Sequence, residues 1–528
     1  MTANAVSEIR RRESTVWLRS IQQALWRATP VAVQQKLLWP TGSPVNDWHS
    51  FDCKPWTHPW LTQTNIRSFR AFSDQWLGRV EAEFDARESK KRGHYAFVGN
   101  MANNLYGRAK SIKASSMNID MVLHPSDHLL MSQPTWEEYG GIAPEGVLTL
   151  SQAHEAGLAL PDVQGVYRHD MVPWVEVMPQ NLSDSMRLMD LKRFGDYFCY
   201  LPTIAALLKY DATLAVQFPY LSYLSGKPYA VTQMGGDIWF ECSRDDIYGR
   251  LQRRAFESAS VFIISNPWSM AFARRYGMKH MIYLPFLMDE NRYSPGEPAF
   301  RHEWEVTSGG SFFVLMTSRL DYLFKGSQIA ITAFARFSAL VPQARLVVTG
   351  WGADQARALE LLRALNIADK VIVLPVSGKR RMVEYLRSAH CLIDQLSLGY
   401  YGASALEGMA CGLPVIMNLN HEQYDALLPE GCAPVCQAAT EDDVLRHLLA
   451  LHDNPNLRVD VGAGLRRWFL ETHSNKKWGK KYEAVLWGTA ERRVPNFMAS
   501  PLRALLEKDE IRYHASQLRS APQFPNYS

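Results

Sequence analysis

The chain has 528 residues, of which 47% are hydrophobic and 21% charged, a composition typical of a folded protein rather than a disordered one. Its 57 Lys and Arg residues against 53 Asp and Glu give a net charge of +4. This small charge argues against a nucleic-acid binder, which needs a concentrated basic face. The longest apolar runs, such as 261–264, are too short to cross a bilayer. Seven cysteines without a Cys-x-x-Cys pair predict free thiols in a reducing compartment and no structural zinc site.

The first 40 residues carry six Lys or Arg residues and two glutamates, a net charge of +4. Val16, Trp17, Ile21, Leu25 and Trp26 recur there at helical spacing, with Arg19 among them and Arg27 directly after them. A helix of this kind either lies on an anionic membrane surface or packs its tryptophans onto the body of the protein. No apolar core and cleavage site of a secretory signal follow the arginines. We therefore expect residues 1–92 to form a helical N-terminal extension.

Short apolar segments alternate with helical sequence in the rest of the chain. In the first half the predicted strands are His94–Val98, Asp120–Leu123, Thr213–Val216, Tyr229–Thr232 and Ser260–Ser265. In the second half they are Phe312–Thr317, Ala344–Thr349, Val371–Leu374, Cys391–Asp394 and Pro414–Met417, with helices Ser327–Leu340 and Gln355–Leu365 among them. This alternation predicts an α/β protein with two doubly wound, Rossmann-like domains of parallel strands that face each other across a cleft. Ligands are expected beyond the carboxyl ends of the strands.

The pattern breaks near Leu287–Pro295. After the extension we therefore expect an N-terminal domain at 93–288, a C-terminal domain at 289–490 and a tail at 491–528 with one helix and a loose end. A further helix carries the lysines of 476–481, which we expect to form a solvated face.

The first candidate motif is Gly-Asn-Met-Ala-Asn-Asn at 99–104, which follows a predicted strand and opens a helix. Glycine permits close approach of a ligand, and the amides at a helix N-terminus favour anions. Gly99, Asn103 and Asn104 are therefore candidates for contacts with a phosphate. A tight turn capped by asparagine needs the same residues, and this second interpretation is favoured when the motif is considered alone.

A second motif, Gly350-Trp351-Gly352, begins like a dinucleotide-binding fingerprint. Gln355 stands at the position of the third glycine, so we reject an NAD site.

Two cations, Arg319 and Lys325, lie in the loop before the helix at Ser327. An arginine fork and a lysine at a helix N-terminus can hold the two phosphates of one diphosphate. Two surface cations on a loop are the alternative. No Asp-x-Asp occurs in the sequence, so the carboxylate clamp for a metal–nucleotide complex is missing and we expect no metal.

The most informative segment is 399–416, with the sequence GYYGASALEGMACGLPVI. Gly399 and Gly402 leave backbone amides free for a sugar or a phosphate, and Glu407 can accept two hydrogen bonds from a ribose diol. Because Leu406 and Met409 flank Glu407, we expect this carboxylate to be semi-buried and to need a partner.

This segment resembles the C-terminal signature of the retaining glycosyltransferases of family 4 (group 1), which have the GT-B fold. Glu407 matches the glutamate that binds the ribose of the donor in that family. Arg319 and Lys325 match the pair that contacts the donor diphosphate. Gly399 stands where the family has a glutamate that contacts the donor sugar, which is a departure.

The resemblance covers about 94–490 and extends to weaker motifs in the N-terminal half. Gly235-Gly236-Asp237 is similar to the family's His-Gly-x-Asp region, with Met234 where a histidine often occurs. The resemblance implies an acceptor domain at 93–288 and a donor domain at 289–490. It makes Arg319, Lys325 and Glu407 candidates for catalysis. The candidates for donor binding are Gly99, Asn103, Asn104, Asp237, Gly350, Gly352, Gly399, Tyr400, Tyr401, Gly402, Ala403 and Ser404.

The implied reaction moves a sugar from a nucleotide-diphosphate sugar to an acceptor hydroxyl with retention, in glycan, lipopolysaccharide or glycolipid synthesis. The implied partners are a nucleotide-sugar donor and a glycan or lipid-linked acceptor, without cofactor, metal or nucleic acid. We further expect a cytoplasmic protein that attaches to the inner face of the membrane through residues 1–40.

Two alternatives remain open. One is a nucleotide-sugar epimerase that does not use NAD, since such enzymes have a similar fold. The other is a non-catalytic binding partner that has kept the GT-B fold. The departures from the family pattern at Gly399 and Met234 support this alternative. The retained Arg319, Lys325 and Glu407 favour a transferase, because a scaffold has no need of phosphate and ribose contacts.

Overall fold

Two parallel β-sheets flanked by helices form the framework of the protein in this computed structural model. The structure describes residues 60–87, 93–100, 103–113, 117–123, 134–142, 166–167, 201–244 and 247–495.

The N-terminal sheet has seven parallel strands in the order β3-β2-β1-β4-β5-β6-β7. These strands are β1 (His94–Val98), β2 (Asn118–Val122), β3 (Val166–Tyr167), β4 (Ala212–Ala215), β5 (Tyr229–Thr232), β6 (Val261–Ile264) and β7 (Met281–Tyr283). The helices before and among them are α1 (Gln63–Ala86), α2 (Asn104–Lys113), α3 (Pro134–Glu138), α4 (Leu201–Leu207), α5 (Pro219–Ser225), α6 (Gly236–Trp239), α7 (Ile247–Glu257) and α8 (Ser269–Arg275). Strands β4, β5 and β6 are buried along their whole length, as expected for strands covered on both faces.

The C-terminal sheet has six parallel strands in the order β10-β9-β8-β11-β12-β13. They are β8 (Phe312–Met316), β9 (Ala344–Thr349), β10 (Val371–Leu374), β11 (Cys391–Ile393), β12 (Val415–Met417) and β13 (Cys436–Gln437). The accompanying helices are α9 (Arg301–Ser308), α10 (Ser327–Leu340), α11 (Gln355–Ala364), α12 (Lys379–Ser388), α13 (Ala403–Ala410), α14 (His421–Leu427), α15 (Glu441–Asp453), α16 (Pro455–His473) and α17 (Asn475–Ala490).

All ten predicted strands are present, and their ends lie within two residues of the predicted ones. The prediction of two doubly wound α/β units is confirmed. Strands β3, β7 and β13, of two or three residues, were not predicted. Strands this short show little pattern, and β11 and β12, also of three residues, were predicted only as parts of four-residue segments.

Helix α17 lies at the end of the described chain and packs on the N-terminal half. Its residues fall within the predicted C-terminal domain at 289–490, but it packs on α1, α2 and strands β4 and β5 of the other half. Tyr482 on this helix is buried and donates a hydrogen bond to the carbonyl oxygen of Pro285 at 2.8 Å. The chain therefore crosses back to the N-terminal sheet at its end, which local hydrophobicity alone does not reveal.

The lysines of 476–481 are largely exposed, as expected for a solvated face, and two of them also form ion pairs with helix α1. Lys480 and Lys481 pair with Asp85 and Glu81 of α1, each at 2.7 Å. Helix α1 also contacts the C-terminal half, since Arg70 donates a hydrogen bond to the carbonyl oxygen of Leu427 at 3.0 Å. The described part of the extension thus contacts elements of both halves. The predicted helix with Trp17 and Trp26 and the predicted C-terminal tail helix lie outside the described residues.

Candidate active site

Lys325 and Asp394 meet where the neighbouring strands β8 and β11 end. The Nζ atom of Lys325 lies 3.2 Å from Oδ1 of Asp394. Asp394 is buried and the side chain of Lys325 is 13% exposed. Burial, which favours the neutral amine, lowers the pKa of Lys325, although Asp394 opposes the shift. Asp394 ended a predicted strand and was given no role, so this partner of Lys325 was missed.

The loop that carries Arg319 and Lys325 is held by Asp321. Its Oδ1 accepts the backbone N–H of Phe324 at 2.8 Å, and its Oδ2 accepts Nε of Arg319 at 2.9 Å. Arg319 is 42% exposed, and its charge contributes to the lowered pKa of Lys325. The structure therefore places Arg319 and Lys325 close enough for their charges to repel each other.

The N-terminus of α13 lies beside Lys325. Gly402 is the N-cap of this helix and gives it no side-chain cap, so the first amides of the helix are not capped by a side chain. A Cβ atom placed on Gly402 would lie 3.7 Å from Nζ of Lys325. Ala403 and Ser404 begin the helix, so amide groups and an ammonium group converge on the same place.

Glu407 lies further along α13, and its side chain is only 3% exposed. It accepts a short hydrogen bond from Nζ of Lys379, the first residue of α12. Burial raises the pKa of Glu407, and the nearby ammonium group opposes that shift. The expectation of a semi-buried carboxylate with a partner thus agrees with the geometry, but Lys379 itself was missed. A signal existed, since Lys379, Arg380 and Arg381 put three cations at a helix N-terminus, where the dipole disfavours positive charge.

A segment of the N-terminal half reaches this end of α12. Ile142 forms an antiparallel bridge with Ser377, and the backbone N–H of Gly378 donates to the carbonyl oxygen of Gly141 at 3.1 Å. In α3 of the same segment, Glu138 pairs with Arg292 at 2.5 Å. Although burial opposes it, the hydrogen bonds from Lys110 and Arg292 lower the pKa of Glu138 to about 2. Ionised side chains therefore tie the two halves together beside Glu407.

The predicted phosphate motif of the N-terminal half is held by its own asparagines. The side-chain amide of Asn100 donates to Oδ1 of Asn103 at 2.8 Å, and Oδ1 of Asn100 accepts the backbone N–H of Tyr106 at 2.9 Å. Gly99 has φ +78°, and a Cβ atom there would lie 2.7 Å from the carbonyl oxygen of Val216. Asn104 is buried at the start of α2. These contacts fit the interpretation as a capped turn, and a contact with a donor stays a prediction.

Asp237 holds a loop that reaches across the cleft. Its Oδ1 accepts the backbone N–H groups of Met234, Gly235 and Ile238 at 2.9–3.0 Å. Burial nevertheless raises the pKa of Asp237 to about 6. Two residues after Asp237, the ring centroid of Trp239 lies 6.0 Å from that of Phe324. Phe324 belongs to the loop that carries Arg319 and Lys325. The loops after β5 and β8 therefore meet across the cleft.

The glycines after β9 shape the loop with Arg319. Gly352 has φ +131°, and a Cβ atom there would lie 2.3 Å from the carbonyl oxygen of Leu320. A Cβ atom on Gly350 would lie 2.8 Å from Cγ1 of Val373. Both positions need glycine for packing, and their contact with a donor stays a prediction.

The side chains of Tyr400 and Tyr401 lie in packed surroundings. Tyr400 donates to Oε1 of Gln423 at 2.9 Å, and the ring of Tyr401 stacks on that of Tyr424 at 4.7 Å. Tyr400 and Tyr401 would therefore contact a ligand chiefly through their backbone groups. Gly399, which precedes them, has φ +75°. A Cβ atom placed on Gly399 would meet only atoms of Asn420, the nearest at 3.6 Å.

Several buried polar atoms at strand ends facing the cleft form no hydrogen bond within the described part of the protein. On the C-terminal side they are Thr317 Oγ1, Ser318 Oγ, Asp394 Oδ2 and Gln395 Oε1, and on the N-terminal side Thr232 Oγ1, Gln233 Oε1 and Ser265 Oγ. Such groups cost about 1–3 kcal/mol each when they are left unpaired, so both sides of the cleft favour a polar ligand.

Neither a cluster of three or more His, Cys, Asp and Glu residues suited to a metal ion nor a helix long and apolar enough to cross a bilayer occurs in the described ranges. Metal independence stays a prediction.

Comparison with known proteins connects the C-terminal half with a family. Residues 301–468 match the family described as glycosyl transferases, group 1. A D-inositol 3-phosphate glycosyltransferase of Acidothermus cellulolyticus is 37% identical over 261 residues, which are 45% of this chain and 55% of that protein. An N-acetyl-alpha-D-glucosaminyl L-malate synthase of Bacillus anthracis is 26% identical over 164 residues, 31% of this chain and 42% of that protein. The chain thus spans about half the length of the curated relatives it matches.

Solved structures show the same fold. HepE of Anabaena, in a complex with UDP and glucose, superposes with a TM-score of 0.53 at 13% identity and covers 75% of this chain and 100% of its own. Sucrose-phosphate synthase of Thermosynechococcus elongatus gives a TM-score of 0.50 at 16% identity, with 78% of this chain and 100% of its own covered. The fold is GT-B, and residues 301–468 are similar to the glycosyl transferases of group 1.

Proposed function

We propose that the protein is a retaining glycosyltransferase of the family 4 type, which transfers a sugar from a nucleotide-diphosphate sugar to an acceptor hydroxyl without a metal ion. The observation that carries this proposal is the placement of Lys325 beside the N-terminus of α13, the helix that also bears the buried carboxylate of Glu407. One short element thus offers contacts for a diphosphate and for a ribose.

The diphosphate would lie against Lys325, Arg319 and the first amides of α13. In the reaction the bond between the anomeric carbon and the diphosphate oxygen breaks, and the acceptor oxygen bonds to the same face of that carbon. The acceptor proton passes to an oxygen of the departing diphosphate. We assign no protein nucleophile. Fixed positive charge stabilises the negative charge that develops on the leaving group, because the cations are already in place and need no reorganisation.

The acceptor would approach from the N-terminal half, where Thr232, Gln233 and Ser265 present uncharged polar groups at strand ends. We propose a glycan or lipid-linked acceptor, used in glycan, lipopolysaccharide or glycolipid synthesis. Residues 1–40 would attach the protein to the inner face of the membrane. The donor sugar would face Gly399, where the family has a glutamate. The donor screen below therefore determines which sugar is transferred.

A two-stage experiment tests the proposal. Thermal shifts with UDP, GDP, ADP and their sugars identify the donor, since a ligand at 100 times its dissociation constant stabilises the fold by about 2.7 kcal/mol. Transfer to glycan and lipid-linked acceptors is then followed by mass spectrometry and the anomeric configuration by NMR. Glu407→Ala serves as the inactive comparison.

Each alternative has its own outcome. Free epimerised sugar without an acceptor would indicate an epimerase. Nucleotide binding without transfer to any acceptor would indicate a non-catalytic partner. An inverted product would contradict the retaining mechanism.

A further inference from the structure

Lys379 occupies a position that helix physics disfavours. It is the first residue of α12, it is followed by Arg380 and Arg381, and Gly378 before it provides no side-chain cap. Positive charge at a helix N-terminus opposes the helix dipole. Something other than helix stability must account for this residue.

The surroundings of Lys379 differ from those of its neighbour. Its side chain is 21% exposed and donates to Oε1 of Glu407, whereas Arg380 is 61% exposed and reaches Glu138 at 3.3 Å. No further hydrogen bond to the carboxylate of Glu407 is made by the residues that the structure describes. One carboxylate oxygen is therefore fixed by the lysine, and the other, Oε2, is left for a ligand.

We propose that Lys379 is a positioning residue, which holds the buried carboxylate of Glu407 ionised and oriented so that its Oε2 accepts the ribose hydroxyls of the donor. This inference rests on the proposed function, because it takes Glu407 as the ribose contact.

The charges around Glu407 show why a fixed cation is needed there. Burial raises the pKa of Glu407, and the carboxylates of Glu137 and Asp394 act in the same direction. The ammonium group of Lys379 lowers it. Although burial favours its neutral form, Glu407 and Glu137 raise the pKa of Lys379 itself, so the lysine stays charged. The other titratable groups that interact with Glu407 are Tyr293 and Cys411.

The position of Lys379 is set from both halves of the protein. The bridge between Ile142 and Ser377 fixes the turn before α12, and the backbone N–H of Arg380 donates to the carbonyl oxygen of Tyr139 at 3.3 Å. Glu137, from the same segment, attracts the lysine electrostatically. Docking of residues 134–142 on the C-terminal half therefore helps to aim the carboxylate of Glu407.

The test compares nucleotides that have or lack the ribose diol. Dissociation constants of the tightest-binding member of UDP, GDP and ADP, and of its 2′,3′-dideoxy analogue, are measured by calorimetry. The proteins are the full chain and its variants Lys379→Met, Lys379→Gln and Lys379→Arg. Arg380→Met, at the neighbouring exposed position, is the matched control. Glu407→Gln, alone and combined with Lys379→Met, completes a double-mutant cycle.

We expect the unmodified chain to prefer the ribonucleotide, and Lys379→Met to bind it about tenfold more weakly, as expected when a hydrogen bond to a charged group is lost. Binding of the dideoxy analogue should change little, so the preference for the diol disappears. Lys379→Arg should restore part of it, and Arg380→Met should resemble the unmodified chain. In the Glu407→Gln background, Lys379→Met should have no further effect.

The pH dependence separates positioning from a merely structural role. Ribonucleotide binding needs the ionised carboxylate, so it weakens as the pH falls through the pKa of Glu407. Without the ammonium group that pKa rises, and the transition should move to higher pH in Lys379→Met and Lys379→Gln, but not in Arg380→Met.

An unchanged diol preference and an unchanged pH transition in the lysine variants would overturn the inference while leaving the proposed function intact. If Lys379→Met does not fold, as judged by circular dichroism, Lys379→Gln decides in the same way. If the unmodified chain binds no nucleoside diphosphate at all, the proposed function fails and this inference fails with it.

Discussion

Lys325 and Asp394 form a largely buried ion pair at 3.2 Å that joins the loop after β8 to the end of β11. The second oxygen of Asp394 is buried without a hydrogen bond from the described residues. The lysine is thus held on one side by its partner, while Gly402 and the N-terminus of α13 lie on the other. This arrangement keeps an ammonium group in a place that burial would otherwise make costly.

Replacement of Lys325 by alanine is expected to abolish transfer while the protein stays folded. The lost charge-assisted contact alone is worth about 1.5–3 kcal/mol, which is about 10- to 150-fold in donor affinity, and the leaving group loses its nearest cation. Steady-state kinetics and circular dichroism measure the two effects. Turnover close to that of the unmodified protein would remove the proposed diphosphate site.

Asp394→Asn provides a finer comparison at the same pair. Burial lowers the pKa of Lys325 and Asp394 opposes that effect, so the variant should lower this pKa further. A lysine with a lower pKa loses its charge earlier as the pH rises. The alkaline limb of the activity profile should therefore move to lower pH, and an unchanged limb would indicate that Lys325 does not act through its charge.

Transfer is expected to continue in excess EDTA. The sequence has no Asp-x-Asp clamp, and Lys325 and Arg319 supply positive charge where a metal ion would otherwise compensate the diphosphate. Initial rates with and without chelator, and after addition of magnesium or manganese, measure this. Complete loss of activity that either metal restores would contradict the proposed mechanism.

The sequence predicts a structural feature well when the residues that determine it are neighbours in the chain. Strands such as β5 and β9 are apolar segments with clear limits, and the flanks of Glu407 reveal a buried carboxylate. The partner of Glu407 is not local, because Lys379 lies on another helix and only the packing of α12 against α13 brings the two together. Its unfavourable position at a helix N-terminus was the available signal.

Two further contacts of the fold share a physical cause that the sequence does not reveal. The apolar face of α17 shows that the helix is buried, but not that it packs on the opposite sheet. Likewise, Lys480 is 52% exposed, as a solvated face predicts, but its pairing with Asp85 and that of Lys481 with Glu81 depend on the packing of α1 beside this helix. Tertiary partners far away in the chain decide such cases, and periodicity carries no information about them.

Acid is expected to destabilise the fold through His473. This residue is fully buried at the end of α16, and its Nδ1–H donates to the carbonyl oxygen of Phe286 at 2.9 Å. Its Nε2 has no hydrogen-bond partner among the described residues. Protonation would leave a buried N–H unpaired, and burial accordingly lowers the pKa of His473 from 6.5 to about 4.

The sign of the effect follows from this lowered pKa. The stabilising contribution of neutral His473 is fully present above pH 6.5 and is lost as the pH falls toward 4. Over this range the unfolding free energy should fall by up to about 1.4 kcal/mol per pH unit for this one proton. Urea unfolding of His473→Gln between pH 7 and pH 4.5 should show a smaller slope. His302→Gln, on the exposed face of α9, should keep the slope of the unmodified chain.

Residues 1–40 are expected to bind anionic vesicles reversibly. Their net charge of +4 and the position of Trp17 and Trp26 among Arg19 and Arg27 are the sequence features that motivate this prediction. Polybasic segments gain about 1 kcal/mol for each Lys or Arg near an anionic surface, so a net +4 gives a few kcal/mol, and partial insertion of the tryptophans adds to it. That is enough for reversible attachment but not for permanent anchoring.

Co-sedimentation with vesicles of defined composition tests this attachment. Binding should require phosphatidylserine or another anionic lipid, weaken with salt because exposed charges are screened, and disappear when residues 1–40 are removed. A variant with Trp17 and Trp26 replaced by alanine should keep the salt dependence and lose part of the affinity. Vesicles of neutral lipid are the control. If the full-length protein ignores anionic vesicles at low salt, the tryptophans are better explained by packing on the body of the protein, and a water-soluble glycan acceptor replaces the lipid-linked one.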